Sequence, residues 1–447
     1  MDIFIPQNVK NVLDVLEKNG YEAYIVGGCV RDALMGKTPH DFDVATSALP
    51  EQMKECLSDY KVIDIGIKHG TVTVLSAGEH IEVTTFRVDG EYLNHRSPEA
   101  VSFTQRINDD LARRDFTINA MAYSDKTGII DTFGGQKDLF NRKIRCVREP
   151  AARFYEDALR MLRALRFSAS LDFEIEDLTS IAIHENCYLL ESISAERIRN
   201  ELNFIITGEN PMEALIKYPD VFSVFIPEIR KCLGFNQMSR YHIYDVWEHT
   251  ANAVTNSKNE LIVRLALLFH DIAKPDCFKL DDEGEGHFDG HEQLSAVMAE
   301  AIMKRLKYDT ETIKNVCQLI AYHYVTPIDD EKVVKRLLSY LGEEQFHRLI
   351  EVMKGDSRAK QAFCMERIQV LDAMNLKSYE ILSRNDCLNI SDLEADGNDL
   401  LEIGAKGPQI GAVLDDLLCM VIDGDIENSR DALINEAKKL LNNNSNK

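Results

Sequence analysis

The stretch YIVGGCVRD at residues 24–32, followed nine residues later by DFDVA at 41–45, decides the reading of this chain. A short apolar strand runs into a Gly-Gly turn and then into a helix. Glycine lets backbone amides approach an anion, and a helix N-terminus favours negative charge. On the strand that follows, alternation puts Asp41 and Asp43 on one side and turns Phe42 to the core. Paired carboxylates beside a phosphate-binding turn are what two-metal phosphoryl transfer requires. A lone Gly-Gly or a lone Asp-x-Asp would read as a surface turn with solvated acids. Together and in this order they point to a nucleotide site.

Around this stretch, helical spacing predicts helices over residues 8–18, 29–35 and 50–57. Valine, isoleucine and threonine predict strands over 22–26, 42–45, 61–65, 71–75, 81–87 and 101–104, with mixed character resuming over 116–122. The polar stretch 88–100 reads as a long mobile loop, and Phe133 with Gly134 and Gly135 reads as a turn. Beyond about residue 148 strands stop, and apolar residues recur at helical spacing to the end. Breaks fall near 208–211, Gly234, 281–290 and 396–411, and the polar residues 442–447 read as a disordered tail. The fold class is α+β: a small mixed-sheet head followed by an all-α neck, body and tail.

The 447 residues exceed one domain. Hydrophobic residues make up 45% and charged residues 28%, as in ordinary globular proteins. No apolar run is long enough for a membrane span, and the opening MDIFIPQNVK does not read as a signal peptide. Ten scattered cysteines form no Cys-x-x-Cys pair, which fits a reducing cytoplasm. The net charge of −23 argues against nucleic acid as a partner of the whole surface. From Thr104 to Phe167, however, thirteen Lys/Arg face nine Asp/Glu, so a local basic groove remains open to RNA.

Three further features belong with the opening stretch. Glu82, between apolar neighbours on the strand 81–87, is a candidate third carboxylate near the metals; strand alternation alone allows a solvent-facing glutamate equally. The segment RRDFTINA at 113–120 offers Arg114, whose guanidinium would clamp phosphate oxygens or cap the end of a helix. In EDALRMLRALRF at 156–167, Asp157, Arg160, Arg163 and Arg166 recur every third residue and predict one polar stripe on one helix, beside a stripe of Leu159, Leu162 and Leu165. Such a stripe is ordinarily a solvated face. Next to a nucleotide head it would instead read a base: a carboxylate accepts from an exocyclic amine and a guanidinium donates to a ring acceptor. That pair suits C and A. It leaves buried groups unpaired against U and G, at about 1–3 kcal/mol each.

These motifs, with GIKHGTVTV at 66–74, resemble in order the motif series of class II tRNA nucleotidyltransferases, the CCA-adding enzymes, over roughly residues 20–205. The resemblance implies addition of C, C and A to the tRNA 3′ end from CTP and ATP, with pyrophosphate leaving. It implies that Asp41 and Asp43 hold two Mg²⁺, that Gly28, Arg31 and Arg114 contact the nucleotide, that Asp157 and Arg160 read its base, and that Arg163 and Arg166 add further contacts. The loop 88–100, with Arg96, corresponds to the element that switches the family from C to A addition.

A second constellation follows. His249, His270 with Asp271, and Asp356 have the order of an HD phosphohydrolase domain, with His291 and His323 as further candidate ligands and His242 as a weaker one. The segment 265–275 resembles the HD signature and implies a divalent transition metal; a structural HD fold without metal is the alternative. The expected domains are a catalytic head over 1–148, a neck for base recognition and RNA binding over 149–225, an HD domain over 226–360, and a helical tail over 361–447. The segments 399–404 and 407–411 resemble a tail that holds the tRNA elbow, as the head and neck would hold the acceptor stem. Competing readings are a poly(A) polymerase, an enzyme adding only A or only CC, and an HD phosphohydrolase with a nucleotide-binding head. GIKHG and the absence of a basic tail disfavour the first.

Overall fold

The computed structural model describes residues 3–64, 66–89, 92–93, 97–98 and 101–444. Two compact units emerge, residues 1–230 with 305–308, and residues 231–304 with 309–447.

The first unit opens with α1 (Gln7–Lys18), β1 (Ala23–Val26), α2 (Gly28–Leu34), β2 (Asp43–Thr46) and α3 (Pro50–Cys56). Next come β3 (Lys61–Ile63), β4 (Thr71–Ser76), β5 (Glu79–Thr85), β6 (Arg87–Asp89), β7 (Tyr92–Leu93), β8 (Ser97–Pro98) and β9 (Val101–Phe103). The head continues with α4 (Ile107–Ala112), β10 (Ala122–Ser124), β11 (Gly128–Ile130) and α5 (Gly135–Phe140). Seven strands form one mixed sheet in the order β11-β10-β1-β2-β5-β4-β3. Only β2 and β5 pair in parallel; the other neighbours are antiparallel. Period-two alternation separates two cores. Ile25, Val44 and Val83 turn to one face under Val12 and Leu16 of α1 and Met53 of α3. Tyr24, Val26 and Ala45 turn to the other, under Ile107 and Leu111 of α4. Phe42 packs against the first core while Asp41 and Asp43 stay exposed, as alternation predicts.

Two expectations change. The stretch 88–100 is not simply a loop. β6 pairs with β9 and β7 with β8, both antiparallel, because the β-forming residues around Val88 and Val101 meet when the chain doubles back. Arg96 lies outside the described residues. The second change is in 156–167, which is not one helix. α6 (Pro150–Glu156) stops at Asp157, whose φ of −137° and ψ of 102° are extended, and α7 (Leu159–Leu171) begins after it. The Asp157 carboxylate accepts from Leu159 N (3.2 Å), so it caps the new helix instead of continuing the old one. Only Arg160, Arg163 and Arg166 share α7. α8 (Asp177–Asn186), α9 (Ala195–Ile206), α10 (Met212–Lys217) and α11 (Pro219–Phe225) complete the unit.

The second unit is helical: α12 (Val246–Thr255), α13 (Leu261–Phe269), α14 (Lys274–Cys277), α15 (His291–Arg305), α16 (Thr310–Tyr322), α17 (Glu331–Leu341), α18 (Glu343–Arg358) and α19 (Glu366–Ser383). Short strand pairs persist beyond residue 148, at 174–175 and across the expected break, at 279–280 with 286–287. The last helices, α20 (Gly397–Glu402), α21 (Pro408–Ile422) and α22 (Arg430–Asn444), close on a small core of their own around Leu400, Leu417 and Leu433. α22 extends into the expected disordered tail as far as Asn444. Among the described residues no helix is long and apolar enough to cross a membrane.

Candidate functional site

Register puts the opening motifs side by side. Val26, the last residue of β1, pairs with Asp43, and Asp43 pairs on its other side with Glu82. The chain leaves β1 directly into Gly27, where φ is +79°. A Cβ at Gly27 would lie 2.8 Å from Arg114 Nη1, so a side chain there would push that guanidinium aside, and the positive φ itself favours glycine. Loss of surrounding water raises the Asp43 pKa although the residue keeps solvent contact; Glu82 and Asp41 push the same way and Arg114 opposes them. The three carboxylates thus crowd one another. Their ligand atoms do not all come within 4.8 Å of one another; among the described residues, groups that close occur only in the second unit.

Arginines face these acids. Arg31 donates from Nη1 to Asn119 Oδ1 and from Nε to Asp32, each at 2.8 Å. Arg113 and Arg114 both hold the buried Asp110, from 2.9 and 3.2 Å. Burial alone would raise the Asp110 carboxyl, but these two guanidiniums bring it below its ordinary range. On α7, Arg163 donates from Nε to Asp115 at 2.8 Å. Burial would likewise raise Asp115; Arg163, with donors from Phe116 N and Asn119, holds it well below the usual carboxylate range. Arg166 pairs with Glu201 of α9 at 3.3 Å. The Phe167 ring carries the guanidiniums of Arg166, Arg31 and Arg163 at 4.6, 5.3 and 5.5 Å.

The base-reading pair is held differently from a shared helical stripe. Arg160 is buried and donates to Glu156 (2.7 Å), Arg153 O (3.1 Å) and Arg113 O (3.2 Å). Asp157 is ion-paired with Arg197 of α9 at 3.1 Å. Arg197 was not anticipated. It lies forty residues from its partner, and its only sequence signal is its place beside the apolar line Ile198, Leu202 and Ile205 of an amphipathic helix. Asn119 and Glu201 were missed for the same reason.

The arginines border one cavity of about 490 Å³. Gly27, Gly28, Asp43 and Asp157 line it, together with Arg31, Arg113, Arg114, Arg160, Arg163, Arg166 and Arg197. Seven guanidiniums outnumber the acids, so the cavity suits a polyphosphate anion. Asp41 and Glu82 are not on its wall.

In the second unit six expected residues converge. His249 Nε2 lies 3.3 Å from His270 Nε2, 3.1 Å from Asp356 Oδ1 and 3.3 Å from Asp271 Oδ2. The other Asp271 oxygen, Oδ1, lies 3.3 Å from His291 Nε2 and 3.7 Å from His323 Nε2. Each ring is oriented by its Nδ1 against a backbone carbonyl, of Ala359, Leu267, Phe288 and Ile320 in turn. That arrangement presents every Nε2 inward, as metal-ligating histidines require. All six residues are buried. Asp271 Oδ1 and His291 Nε2 face each other at 3.3 Å without the alignment of a hydrogen bond, which leaves both lone pairs open to an ion. Burial alone would raise Asp271 and Asp356; His270 and Lys274 for the first, Lys360 and His249 for the second, hold both well below their ordinary range. Burial pushes His323 down to about 4, leaving a neutral ring. His242 packs edge-on against His249 at 4.9 Å without joining the cluster.

Comparison with known proteins bears on the family and the fold. A family model for the poly A polymerase head domain matches residues 23–145. One for a probable RNA- and SrmB-binding site of polymerase A matches 172–233, and a putative tRNA nucleotidyltransferase domain 2 matches 291–437. The CCA-adding enzyme of Ligilactobacillus salivarius is 35% identical over 453 residues, covering 98% of both chains. The crystal structure of the Bacillus stearothermophilus CCA-adding enzyme with CTP superposes with a TM-score of 0.72 at 25% identity, over 99% of this chain and 100% of that one. The Thermotoga maritima CCA-adding enzyme complexed with tRNA shares the fold at a TM-score of 0.61 and 21% identity, over 98% and 97%.

Proposed function

Because this chain belongs to the CCA-adding enzymes, we propose that it adds C, C and A to the 3′ end of tRNA, drawing on CTP and ATP, without a nucleic-acid template. The single observation that carries the reading is the cavity in which the Gly27–Gly28 turn, Asp43, Asp157 and seven arginines meet. Poly(A) polymerase and A-only or CC-only activity are the less favoured alternatives.

The primer 3′-hydroxyl attacks the α-phosphorus, and the bond to the departing pyrophosphate breaks. Gly28 and Arg31 border the nucleotide at the turn, Arg114 contacts its triphosphate, and Arg163 and Arg166 add further nucleotide contacts. Asp157 accepts from the exocyclic amine of C or A, and Arg160 donates to the ring acceptor beside it. Arg160 exchanges one of its carbonyl partners to do so. The family depends on divalent metal. Asp41 and Asp43, with Glu82 as a third donor, form an all-oxygen set that suits two Mg²⁺. When bound, Mg²⁺ would activate the hydroxyl and offset charge on the leaving group. The 1–148 region carries catalysis, 149–225 base recognition and RNA binding, and 361–447 contact with the tRNA elbow, while the acceptor stem enters at the head and neck. The enzyme works in the cytoplasm, in keeping with ten free cysteines.

A second reading rests on the six-residue cluster. The mixed imidazole–carboxylate donors of His249, His270, Asp271, Asp356, His291 and His323 fit a divalent transition metal, and on this reading 226–360 would be an HD-type phosphohydrolase domain. Asp43→Ala should abolish incorporation of both CMP and AMP, and retained incorporation would remove Asp43 from the metal site. His270→Ala should lower the transition-metal content of the purified protein, and an unchanged content would remove the second centre.

A further inference from the structure

Three guanidiniums of the first unit meet on one ring. Phe167 lies on the wall of the arginine-lined cavity, is only 8% exposed, and packs edge-on against the buried Phe116 with ring centroids 5.8 Å apart. Arg166, Arg31 and Arg163 come over it at 4.6, 5.3 and 5.5 Å from its centroid. Arg31 arrives from α2 and the other two from α7, so the ring is where two separate elements bring their charge together. Each arginine also has a carboxylate of its own: Asp32 for Arg31 (2.8 Å), Asp115 for Arg163 (2.8 Å) and Glu201 for Arg166 (3.3 Å). Like charges this close repel one another. Burial lowers the Arg166 pKa, Glu201 opposes, and Arg163 and Arg31 add to the lowering.

The chemistry of the side chain at 167 decides what that crowding is good for. A further carboxylate would relieve the repulsion but cancel the charge that an anion needs. An aliphatic side chain would fill the space and attract none of the three. An aromatic ring attracts cations through its quadrupole and leaves their charge intact. We propose that Phe167 is a positioning residue of the nucleotide site, its ring gathering Arg31, Arg163 and Arg166 so that they meet the anionic part of the incoming nucleotide already assembled. The proposal rests on the nucleotide reading of this cavity given above. Phe167 touches no reacting atom; it acts through the arginines, by sparing the site the cost of drawing three cations together at the moment of binding. The ring makes no contact that distinguishes one base from another, so its contribution falls equally on CTP and ATP, and on an inorganic polyphosphate.

The test places a ring-fluorinated phenylalanine at position 167 of the full chain, which keeps the shape of the ring while weakening its attraction for cations, and makes Phe167→Leu separately. Denaturant unfolding checks that each chain folds; the fluorinated one decides the matter if Phe167→Leu does not. Binding of CTP, ATP and inorganic pyrophosphate is measured by calorimetry, and CMP and AMP addition to tRNA by single-turnover kinetics. Fluorination should weaken binding of all three ligands about threefold and Phe167→Leu about tenfold. The loss should be the same for CTP and ATP, with the rate at saturating nucleotide and the preference for CTP over UTP held within about twofold, the signature of lost ground-state binding. Binding indifferent to fluorination makes the ring a filler of the core and overturns the proposal. So does a loss confined to one nucleotide, which would put the ring at the base, and so does a saturating rate that falls while binding holds. Unaltered protein that adds no CMP to a tRNA lacking CCA overturns the nucleotidyl-transfer reading and the proposal with it, a result seen in the same assay before either variant is compared.

Discussion

Asp157 caps a helix start, and the proposed function also gives it a base to read. Its backbone is extended, its carboxylate caps Leu159 N, and Arg197 holds the other side of the group. Truncating it removes the acceptor for an exocyclic amine, so Asp157→Ala should lower discrimination of CTP over UTP by about 1–3 kcal/mol, roughly five- to a hundredfold in the kcat/KM ratio, more than it weakens triphosphate binding. Single-turnover incorporation with each nucleotide measures this, and an unchanged ratio would remove Asp157 from base reading. Arg197→Met should shift the same ratio in the same direction by less. Asp115 makes a prediction of a different kind. Its folded pKa is depressed by Arg163, so its stabilisation is complete above the unfolded carboxyl value of about 3.9 and is lost as pH falls through the lower folded value. Asp115→Ala should cost about 2–3 kcal/mol at pH 7, the low side for a broken buried pair because Arg163 is partly exposed. Denaturant titrations of the two proteins should keep this difference down to about pH 4 and converge only as pH falls through the depressed folded value. Asp41, Asp43, Arg114 and the α7 arginines were legible because they sit in short local patterns. Arg197, Asn119 and Glu201 were not, because each acts through a partner 35 to 88 residues away.

At the scale of elements, strand alternation anticipated an exposed Asp41 and Asp43 about a packed Phe42, though only Asp43 reaches the cavity wall, while helical periodicity misled. Spacing over 156–167 is helical throughout, yet a short carboxylate competes for backbone donors and splits the run into α6 and α7. Spacing counts side chains; it does not register a side chain that bonds its own backbone. The stretch 88–100 failed for the opposite reason: its polar composition hid strands whose partners lie across a reversal of the chain. Gly70, with φ of +80°, supports that reversal, since a Cβ there would meet Phe103 of β9 at 2.6 Å. Gly70→Ala should displace β9 and lower AMP addition more than CMP addition, if the paired strands carry the switch from C to A that the family resemblance implies. Equal loss of both additions in a primer-extension assay would assign Gly70 to general folding instead.

At the scale of the whole molecule, the chain joins an acidic body to a site whose wall is dominated by arginine. The overall charge of −23 therefore says little about the partner, whereas the seven guanidiniums on one cavity wall mark a place suited to an anion. Among the described residues, close groups of potential metal-ligating atoms lie in the helical unit, where imidazole and carboxylate meet. The measurement that bears most directly on the account is incubation of the pure protein and Mg²⁺ with tRNA transcripts ending before CC, after CC and after CCA, each with CTP, ATP, UTP or GTP alone. The account predicts CMP on the shortest transcript, AMP on the one ending in CC, and nothing on the complete one. Failure to add CMP to the shortest transcript, or continued AMP addition past CCA, would contradict it.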